Sequence, residues 1–340
     1  SSAASDVYKR QPLVAGLADV LNKAGIPVFG PSKAAAQLEG SKVFAKDLMK
    51  KYNIPTAAYG VFHKVDEAKA FIAQTGAPIV VKADGLAAGK GVVVAMTIDE
   101  ANVAVEDMLS GNRFGDAGST VVIEEFMEGE EASLLAFVDG KTVVPMIASQ
   151  DHKRIFDGDK GPNTGGMGTY APAPVLTDAL RDEAMKTILE PMVAAMEKEG
   201  MPYVGCLYAG LMITDEGPKV VEFNARFGDP ETQVVLPLLD SDLGEIMMAC
   251  AKGTLTSNMV KWKDSSAACV ILASKGYPET SSKGDVISGD IKQYDTTIVF
   301  HSGTKLVGEN YVTNGGRVLG VVGLGKDLRT ALDRAYERIE

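Results

Sequence analysis

The sequence lacks several features that would assign it to other classes of protein. Only three of its 340 residues are cysteines and only one is tryptophan, and 45 acidic residues outnumber 34 basic ones. The resulting net charge of −11 argues against nucleic acid or an anionic membrane as the main partner. We also find no secretory signal and no apolar run of membrane-spanning length in it.

The three cysteines, Cys206, Cys250 and Cys269, lie far apart in the chain. Their spacing fits neither a metal site nor a disulfide framework, so a reducing compartment is the simplest environment and we expect a cytoplasmic protein. With 46% hydrophobic and 23% charged residues, a chain of 340 residues can form two or three globular domains.

Hydrophobic periodicity and turn residues predict a chain of the α/β (α+β) class. We expect a helix over residues 12–24, a short strand over 26–29 and one long helix over 33–52. Strand and helix patterns then alternate through about residues 54–120, which we expect to form a lid that moves when it admits its ligand. Residues 150–170 are rich in Gly, Asp, Lys and Asn and are expected to form a loop.

The stretch at residues 220–233, VVEFNARFGDPETQ, concentrates polar groups at the end of a predicted strand. Alternation along the strand places Glu222, Asn224 and Arg226 on one face and sends Val221 and Phe223 into the core. A carboxylate and an amide oxygen suit a hard cation such as Mg²⁺, and a guanidinium suits a phosphoryl group. An ordinary exposed strand face with a salt bridge to Arg226 explains the same pattern about equally well.

The residues that follow add weight to the metal interpretation. Gly228 and Pro230 end the strand early, which is expected to crowd Asp229 and Glu231 beside Glu222. Clustered carboxylates repel each other unless a cation lies among them.

A glycine-rich loop between two strands, VVKADGLAAGKGVVV at residues 80–94, resembles a phosphate-binding flap. Its small residues allow backbone N–H groups to approach an anion, and Lys82 and Lys90 supply positive charge. The spacing differs from that of a Walker A loop, and no Ser or Thr follows Lys90. A glycine-rich hairpin with solvated lysines is the alternative.

An acidic stretch, VVIEEFMEGEEASL at residues 121–134, continues directly from a buried strand. In a functional interpretation the backbone of Glu125, Phe126 and Met127 meets the edge of an adenine. Glu124 then accepts from the adenine amino group, and Glu131 reaches the ribose hydroxyls. A solvated run of charges is the alternative, and for this stretch alone it is the more economical one.

Two polar segments flank the expected loop, QDHKR at residues 150–154 and PNTGGMG at 162–168. Asp151 could pair with an ammonium group, and the glycines could wrap a phosphate or a ribose. His152 is one of three histidines, and we assign it no catalytic role because a surface histidine on a loop is commonplace.

In combination and in this order, the motifs match the ATP-grasp fold, and their residues resemble those of one family within it, glycinamide ribonucleotide synthetase. The resemblance runs from residue 12 to the C-terminus and includes GPSKAAAQLEGSK, VVKADGLAAGKGV, IEEFMEGEEAS, QDHKR, PNTGGMG, EFNARFGDPETQ, SKGYP and TNGGRVLGV. So many matches in register are specific.

The resemblance implies an ATP-dependent ligase that joins glycine to 5-phosphoribosylamine, requires Mg²⁺ or Mn²⁺, and is a monomer when intact. Lys42 and Lys82 would hold the ATP phosphates, and Glu124, Glu125, Phe126, Met127 and Glu131 would hold the nucleoside. Glu222 and Asn224 would bind the metal. The implied substrate-binding residues are Asp151, Lys153, Gly165, Gly166, Met167, Gly168, Arg226 and Asp229, and among all these Arg226 and Lys82 would be the catalytic ones.

The same resemblance divides the chain into three parts. Residues 1–31 would hold an unmatched tail and a remnant of an N-terminal α/β domain, residues 32–255 the ATP-grasp domain, and residues 256–340 a small β-rich domain. The family's N-terminal G-x-G-G-R-E-H-A turn does not precede residue 12. We therefore expect a truncated chain whose strand at 26–29 is an unpaired edge, whose ribosylamine site is incomplete and whose ligase activity is reduced.

Two other functions remain open at this point. Another ATP-grasp ligase of nucleotide metabolism would share the phosphate and metal residues but use a different carboxylate or amine. A catalytically silent nucleotide-binding module is a third possibility, although such a module would have no reason to keep Lys82, Glu222, Asn224 and Arg226 together.

Overall fold

The computed structural model describes residues 11–85, 91–110 and 119–340. Residues 11–15 are helical, and helix α1 (Leu17–Lys23) follows after a break at Gly16, whose φ of 94° lies in the left-handed region. The helix predicted over residues 12–24 is therefore formed in two pieces. The tail predicted over residues 1–11 lies almost entirely outside the described residues.

The prediction of a strand over residues 26–29 is wrong, because that segment has no strand partner in the described part of the chain. Phe29 packs instead against the rings of Phe137 and Phe227, with centroid distances of 6.2 and 6.0 Å. The segment thus lies on the core of a neighbouring sheet as irregular chain. The unpaired edge that we expected there is absent.

The long helix predicted over residues 33–52 is divided into α2 (Gln37–Gly40) and α3 (Lys42–Lys51). The break falls at Ser41, whose extended backbone frees its hydroxyl to accept from Phe44 N at 3.1 Å. The same hydroxyl donates to Asp84 at 3.2 Å, and this N-cap anchors α3 to the strand that carries Lys82.

The predicted lid region forms a four-stranded antiparallel sheet in the order β1-β4-β2-β3. The helices α4 (Val65–Thr75) and α5 (Ile98–Leu109) pack on it, and Ile72, Ile79, Val105 and Ile123 are buried between them. Its strands are β1 (Tyr59–Phe62), β2 (Ile79–Ala83), β3 (Val92–Ala95) and β4 (Val121–Glu125).

A second antiparallel sheet has the order β10-β9-β5-β6. Its strands are β5 (Glu130–Asp139), β6 (Val143–Pro145), β9 (Val204–Thr214) and β10 (Gly217–Asn224). Two helices, α6 (Asp178–Ala184) and α7 (Glu190–Lys198), flank a π-helical turn at Met185–Leu189. The turn lies just before Pro191, which lacks the N–H that a continuous α-helix needs.

The prediction of a loop over residues 150–170 is wrong. That segment is a hairpin of β7 (Gln150–Phe156) and β8 (Lys160–Ala171), although its glycines and polar residues are typical of a loop. It forms strands because β8 pairs with β11 (Ser266–Ala273), a strand far along the chain. Partner strands decide such cases more than local composition does.

The hairpin belongs to a five-stranded sheet in the order β12-β15-β11-β8-β7. The remaining strands of this sheet are β12 (Thr297–His301) and β15 (Arg317–Gly325), and a separate hairpin pairs β13 (Thr304–Val307) with β14 (Asn310–Thr313). One sheet therefore continues across the domain boundary that the sequence suggested between residues 255 and 256.

Short helices complete the chain on both sides of that boundary. They are α8 (Thr232–Val235), α9 (Leu243–Lys252) and the C-terminal α10 (Leu328–Ile339). Asp327 caps α10, because its carboxylate accepts from Thr330 N at 2.8 Å. In the part of the chain that the structure describes, no helix is both long and apolar enough to span a membrane.

We predict that Gly129→Ala destabilises the fold more than Gly200→Ala does. Both glycines have positive φ, +153° and +75°, which costs any alanine about 1–2 kcal/mol. A Cβ at residue 129 would also lie 2.2 Å from the Ile213 carbonyl oxygen, whereas nothing lies within 4 Å of one at residue 200. Chemical denaturation should show an additional loss of about 1–3 kcal/mol for Gly129→Ala. Equal losses would contradict the close approach of these two backbones.

Candidate active site

The centre of the candidate site is a buried ion pair between the first and second sheets. Lys82, at the end of β2, donates from Nζ to Glu124 Oε2 on β4 at 2.9 Å and to the Val221 carbonyl on β10 at 3.1 Å. Lys82 is 5% exposed and Glu124 is 2% exposed. The alternative of a solvated hairpin lysine is therefore wrong for Lys82.

A second lysine, Lys46 on α3, reaches the same carboxylate, and the sequence analysis assigned it no role. Its Nζ lies 3.0 Å from Glu124 Oε2 and donates to Thr56 Oγ1 at 2.8 Å. Burial lowers the pKa of Lys46 to about 8 against the opposing attraction of Glu124. The one signal in the sequence was its position four residues after Lys42, which places both lysines on the same face of a helix.

Lys42 lies at the mouth of the cleft that these residues line. Its Nζ donates to the Gly85 carbonyl at 3.1 Å, at the start of the glycine-rich loop. The cleft walls bring Lys42, Lys46 and Lys82 together with Glu222 and Asn224. Lys90 and most of that loop, at residues 86–90, lie outside the described residues.

Glu222 and Asn224 converge as the strand pattern predicted. Asn224 Nδ2 donates to Glu222 Oε1 at 3.2 Å, and Arg226 donates to Asn224 Oδ1 at 3.4 Å. Arg226 Nε lies 3.2 Å from Glu39 Oε1, so Arg226 pairs with Glu39. Burial opposes ionisation of Glu222, but the charges of Lys153 and Lys82 outweigh it and hold its pKa below the ordinary value.

The expectation that Val221 points into the core is wrong. The pairing of β10 with β9 shifts register between Val220 and Glu222, and this bulge puts Val220 in the core and Val221 on the cleft wall. Phe223 is buried as predicted. The bulge is also what turns the Val221 carbonyl toward Lys82.

The donor set suits a hard divalent cation, because a carboxylate and an amide oxygen meet at a strand end with lysines for phosphate nearby. The described residues contain no group of three or more His, Cys, Asp and Glu that could hold a metal alone. Any cation here would therefore take its remaining oxygens from ligand and water. Such incomplete protein coordination is typical of Mg²⁺ sites that bind nucleotide phosphates.

A second cavity lies on the other side of Lys82 and Glu124. Its apolar walls come from Val80, Val94, Leu211 and Met212. Every residue predicted to hold the nucleoside lines it, namely Glu124, Glu125, Phe126, Met127 and Glu131. An apolar slot with a polar rim suits a flat heterocycle with a ribose.

Glu124 differs from its predicted role in one respect. Its Oε2 is engaged by two lysines, and its buried Oε1 has no hydrogen-bond partner in the described part of the chain. Glu125 fixes the adjacent backbone, since Glu125 N donates to the Ala58 carbonyl at 2.9 Å. The alternative of a solvated run of charges is therefore wrong for Glu124, which is buried and paired. It holds for the other acidic residues of the stretch, which are exposed, namely Glu125, Glu128, Glu130 and Glu131.

Asp151 and Lys153 lie on β7 beside Glu131. Lys153 Nζ lies 2.5 Å from Glu131 Oε2 and 3.8 Å from Asp151 Oδ1. Burial raises the pKa of Asp151 to about 7, with Lys153 opposing and Glu231 adding to the rise. Neighbouring His152 is exposed, with its ring centroid 5.3 Å from that of Tyr170.

The Gly165–Gly166 backbone is held by a residue that the sequence did not suggest, Arg317. One guanidinium nitrogen of Arg317 donates to the Gly165 carbonyl at 2.6 Å and to the Asp229 carbonyl at 3.0 Å, and another pairs with Asp229 Oδ2 at 3.3 Å. The Tyr277 hydroxyl also holds this turn, because it accepts from Gly165 N at 2.9 Å. Two predicted substrate segments thus meet at one arginine.

Asp229 and Glu231 have partners of their own, contrary to the expectation that they crowd beside Glu222. Asp229 pairs with Arg317, and Glu231, 3% exposed, accepts from the Tyr208 hydroxyl at 2.6 Å. A further cleft opens beyond Asp229 and is lined by Arg226, Asp229 and Arg317 together with residues 300–303. Met167 and Gly168 continue along β8 from the tethered turn.

Three family models match successive parts of the chain. The ATP-grasp (A) domain of phosphoribosylglycinamide synthetase matches residues 40–232. The C domain of the same synthetase matches residues 267–340, and its N domain matches residues 7–39.

Individual relatives agree with these matches. The chain is 54% identical over 328 residues to the phosphoribosylamine-glycine ligase of Vibrio cholerae serotype O1, which covers 96% of this chain and 76% of that protein. The crystal structure of phosphoribosylamine-glycine ligase from Thermotoga maritima is similar with a TM-score of 0.84 and 37% identity, covering 92% of this chain and 78% of that one.

A more distant structure shares the fold alone. The biotin carboxylase domain of Hydrogenobacter thermophilus 2-oxoglutarate carboxylase, in complex with MgADP, ADP and bicarbonate, aligns with a TM-score of 0.75 at 17% identity. The alignment covers 94% of this chain and 70% of that one.

We predict that Asp151→Asn changes how stability depends on pH. A folded-state pKa of about 7, above the ordinary 3.8, means that the carboxyl's contribution to stability is complete below about pH 4 and is lost as the pH rises through 7. The uncharged variant should therefore gain at least about 1 kcal/mol relative to the wild type between pH 4 and pH 8 in chemical unfolding. Asp157→Asn, at the exposed hairpin tip, is the control. Parallel curves for all three proteins would refute the burial of this charge.

Proposed function

The chain belongs to the phosphoribosylglycinamide synthetase family, and from this premise we propose that it joins glycine to 5-phosphoribosylamine at the expense of ATP. It is an ADP-forming ligase with an ATP-grasp fold, and the family's reaction is a step of purine biosynthesis. The products would be glycinamide ribonucleotide, ADP and phosphate.

The observation that carries the proposal is that two cavities meet at β10, with a further cleft at the exit of that strand. The nucleoside-sized cavity and the lysine-lined cleft share Lys82, Glu124, Val221 and Glu222 as walls. Arg226 and Asp229 then open into the third cleft. ATP placed in the first two would direct its terminal phosphate toward the metal pair and Arg226.

A carboxylate does not react with an amine because its oxygen is a poor leaving group. An amine cannot displace oxide from glycine, so the γ-phosphoryl group of ATP is first transferred to the glycine carboxylate. ADP is the leaving group of this transfer. The amine then attacks the carbonyl of glycyl phosphate, inorganic phosphate leaves with the C–O bond electrons, and the amine loses a proton. The protein's task is to align the reactants, neutralise charge and exclude water.

In this proposal Lys42 and Lys82 hold the ATP phosphates, and Glu124 to Met127 with Glu131 hold the nucleoside. Asp151, Lys153, the Gly165 to Gly168 backbone, Arg226 and Asp229 face glycine and phosphoribosylamine. Arg226 lines the third cleft and pairs with Glu39, which lines the lysine-lined cleft, so it is well placed to neutralise a phosphoryl group in transfer. We assign it and Lys82 the catalytic roles.

Glu222 and Asn224 would hold Mg²⁺ or Mn²⁺, which supplies positive charge to the phosphate oxygens. Their own part is to present a carboxylate and an amide side chain together in the cleft beside Lys82, and the lowered pKa of Glu222 keeps that carboxylate ionised. We further propose a cytoplasmic monomer, with residues 1–31, 32–255 and 256–340 as its three domains and residues 54–120 as a lid.

A steady-state assay tests the proposed substrates directly. ADP release by the purified chain should depend on glycine and phosphoribosylamine together and should remain at background with either one alone. ADP release on bicarbonate alone would favour a different ligase of the same fold. Nucleotide binding without turnover on any carboxylate would favour a silent binding module.

We predict that Glu222→Gln lowers kcat by at least about a hundredfold, because the amide keeps the hydrogen bond from Asn224 but loses the charge that a cation needs. Its stability should change by less than about 1 kcal/mol, since the shape is kept. Glu216→Gln is the matched control, because Glu216 is exposed on the same hairpin and pairs with Lys219. Calorimetry should show weaker Mn²⁺ binding by Glu222→Gln in the presence of a non-hydrolysable ATP analogue. Unchanged turnover and Mn²⁺ binding would exclude Glu222 as a ligand.

A further inference from the structure

Two buried lysines share a single oxygen atom of one buried carboxylate. Lys46 Nζ lies 3.0 Å and Lys82 Nζ 2.9 Å from Glu124 Oε2. The side chains of all three residues are at most 6% exposed. The cluster carries one positive charge more than it needs to neutralise Glu124.

The two lysines differ in how completely they are bound. An ammonium group has three N–H donors. Those of Lys46 meet Glu124 Oε2, Thr56 Oγ1 at 2.8 Å and the Ala57 carbonyl at 3.4 Å. Lys82 has two acceptors among the described residues, Glu124 and the Val221 carbonyl, and it lines both the lysine-lined cleft and the nucleoside cavity.

Lys46 is also fixed from behind. The Thr56 hydroxyl that accepts from Lys46 donates to the Val220 carbonyl at 2.7 Å, and Val220 N donates to the Pro55 carbonyl at 2.8 Å. These bonds attach the entry to the lid onto β10. Lys46 also lines the lysine-lined cleft, but its three donors are taken by protein acceptors at the base of the lid, whereas Lys82 has a third donor for a phosphate.

The difference matters when a phosphate arrives. If Lys82 were the only partner of Glu124, moving it toward a phosphate would leave a buried carboxylate without a counter-ion, which is strongly unfavourable. With Lys46 in place, Glu124 keeps one ion pair throughout. The surplus positive charge of the cluster also favours an incoming anion.

We propose that Lys46 is a positioning residue that retains Glu124 and thereby frees Lys82 to bind the phosphates of ATP. The inference rests on the proposed function, because it takes ATP as the ligand of this cleft. It adds a role for a lysine that contacts the lid connection and no substrate.

The first test is nucleotide binding by Lys46→Met, measured by calorimetry with a non-hydrolysable ATP analogue, ADP and adenosine. The analogue should bind about tenfold more weakly than to the wild type, the size expected when a hydrogen bond to a charged group is compromised. Adenosine affinity should be unchanged, because adenosine brings no phosphate to Lys82. Lys51→Met is the matched control on the same helix, since Lys51 pairs with Glu199 on the surface.

A double variant separates positioning from a merely structural role. In Lys46→Met the Lys82–Glu124 pair holds Lys82 back. In a Glu124→Gln background that pair is already lost, so adding Lys46→Met should weaken analogue binding by less than about threefold relative to Glu124→Gln alone. A tenfold loss from Lys46→Met in both backgrounds would overturn the proposal, as would normal analogue binding by Lys46→Met alone. A wild type that fails to bind the analogue would instead overturn the proposed function itself. If Lys46→Met does not fold, Lys46→Gln, which removes the charge but keeps hydrogen-bond donors for Thr56 and Glu124, supplies the same comparison.

The dependence of binding on pH gives an independent readout. The charged or titratable groups that face Lys46 are Glu124, Lys82, Glu125 and Tyr59. The lowered pKa of Lys46, about 8, means that it loses its proton above that pH and releases Glu124 to Lys82. Wild-type affinity for the analogue should therefore fall between pH 7 and pH 9.5, and that of Lys46→Met should be flat. Identical slopes would overturn the proposal.

Discussion

The rest of the site depends on the ion pairs that the buried Glu124 carboxylate makes with two lysines. A buried charge is tolerated only when it is paired, and here the two partners come from different parts of the chain, Lys82 from the lid sheet and Lys46 from a core helix. Pairing them therefore fixes the lid against the core. The same pairing places positive charge at the junction of the nucleoside cavity and the lysine-lined cleft, so fold and function use one constraint.

The fold was predictable where local pattern and tertiary context agree. The lid strands, the hairpin of β9 and β10 and the cap of the last helix all follow from alternation, turn residues and capping. The predictions for residues 26–29 and 150–170 were wrong in opposite ways. The first segment has strand-like residues without a partner strand, and the second has loop-like residues with one in β11. Neither partner can be identified from local composition.

The site divides in the same way. Lys82, Glu222, Asn224 and the nucleoside residues follow strand ends and glycine-rich turns, which the sequence displays directly. Lys46 and Arg317 gain their importance only from partners far away in the chain, Glu124 for one and Asp229 for the other. The bulge that turns Val221 toward the cleft is equally hidden, because a one-residue shift reverses which face a side chain occupies.

The sheet that joins β8 to β11 has a consequence for how the chain folds as it is made. Ala171 pairs with Ala267, so the edge of β8 has to wait for a strand synthesised roughly 95 residues later. At ribosomal rates of about 5–20 residues per second, that interval is on the order of 5–20 seconds. During this time the emerging hairpin carries the Gly165–Gly166 turn without Arg317 to hold it. The residues that line the proposed nucleoside cavity are thus all synthesised before Arg317, the residue that fastens the segment around Asp229.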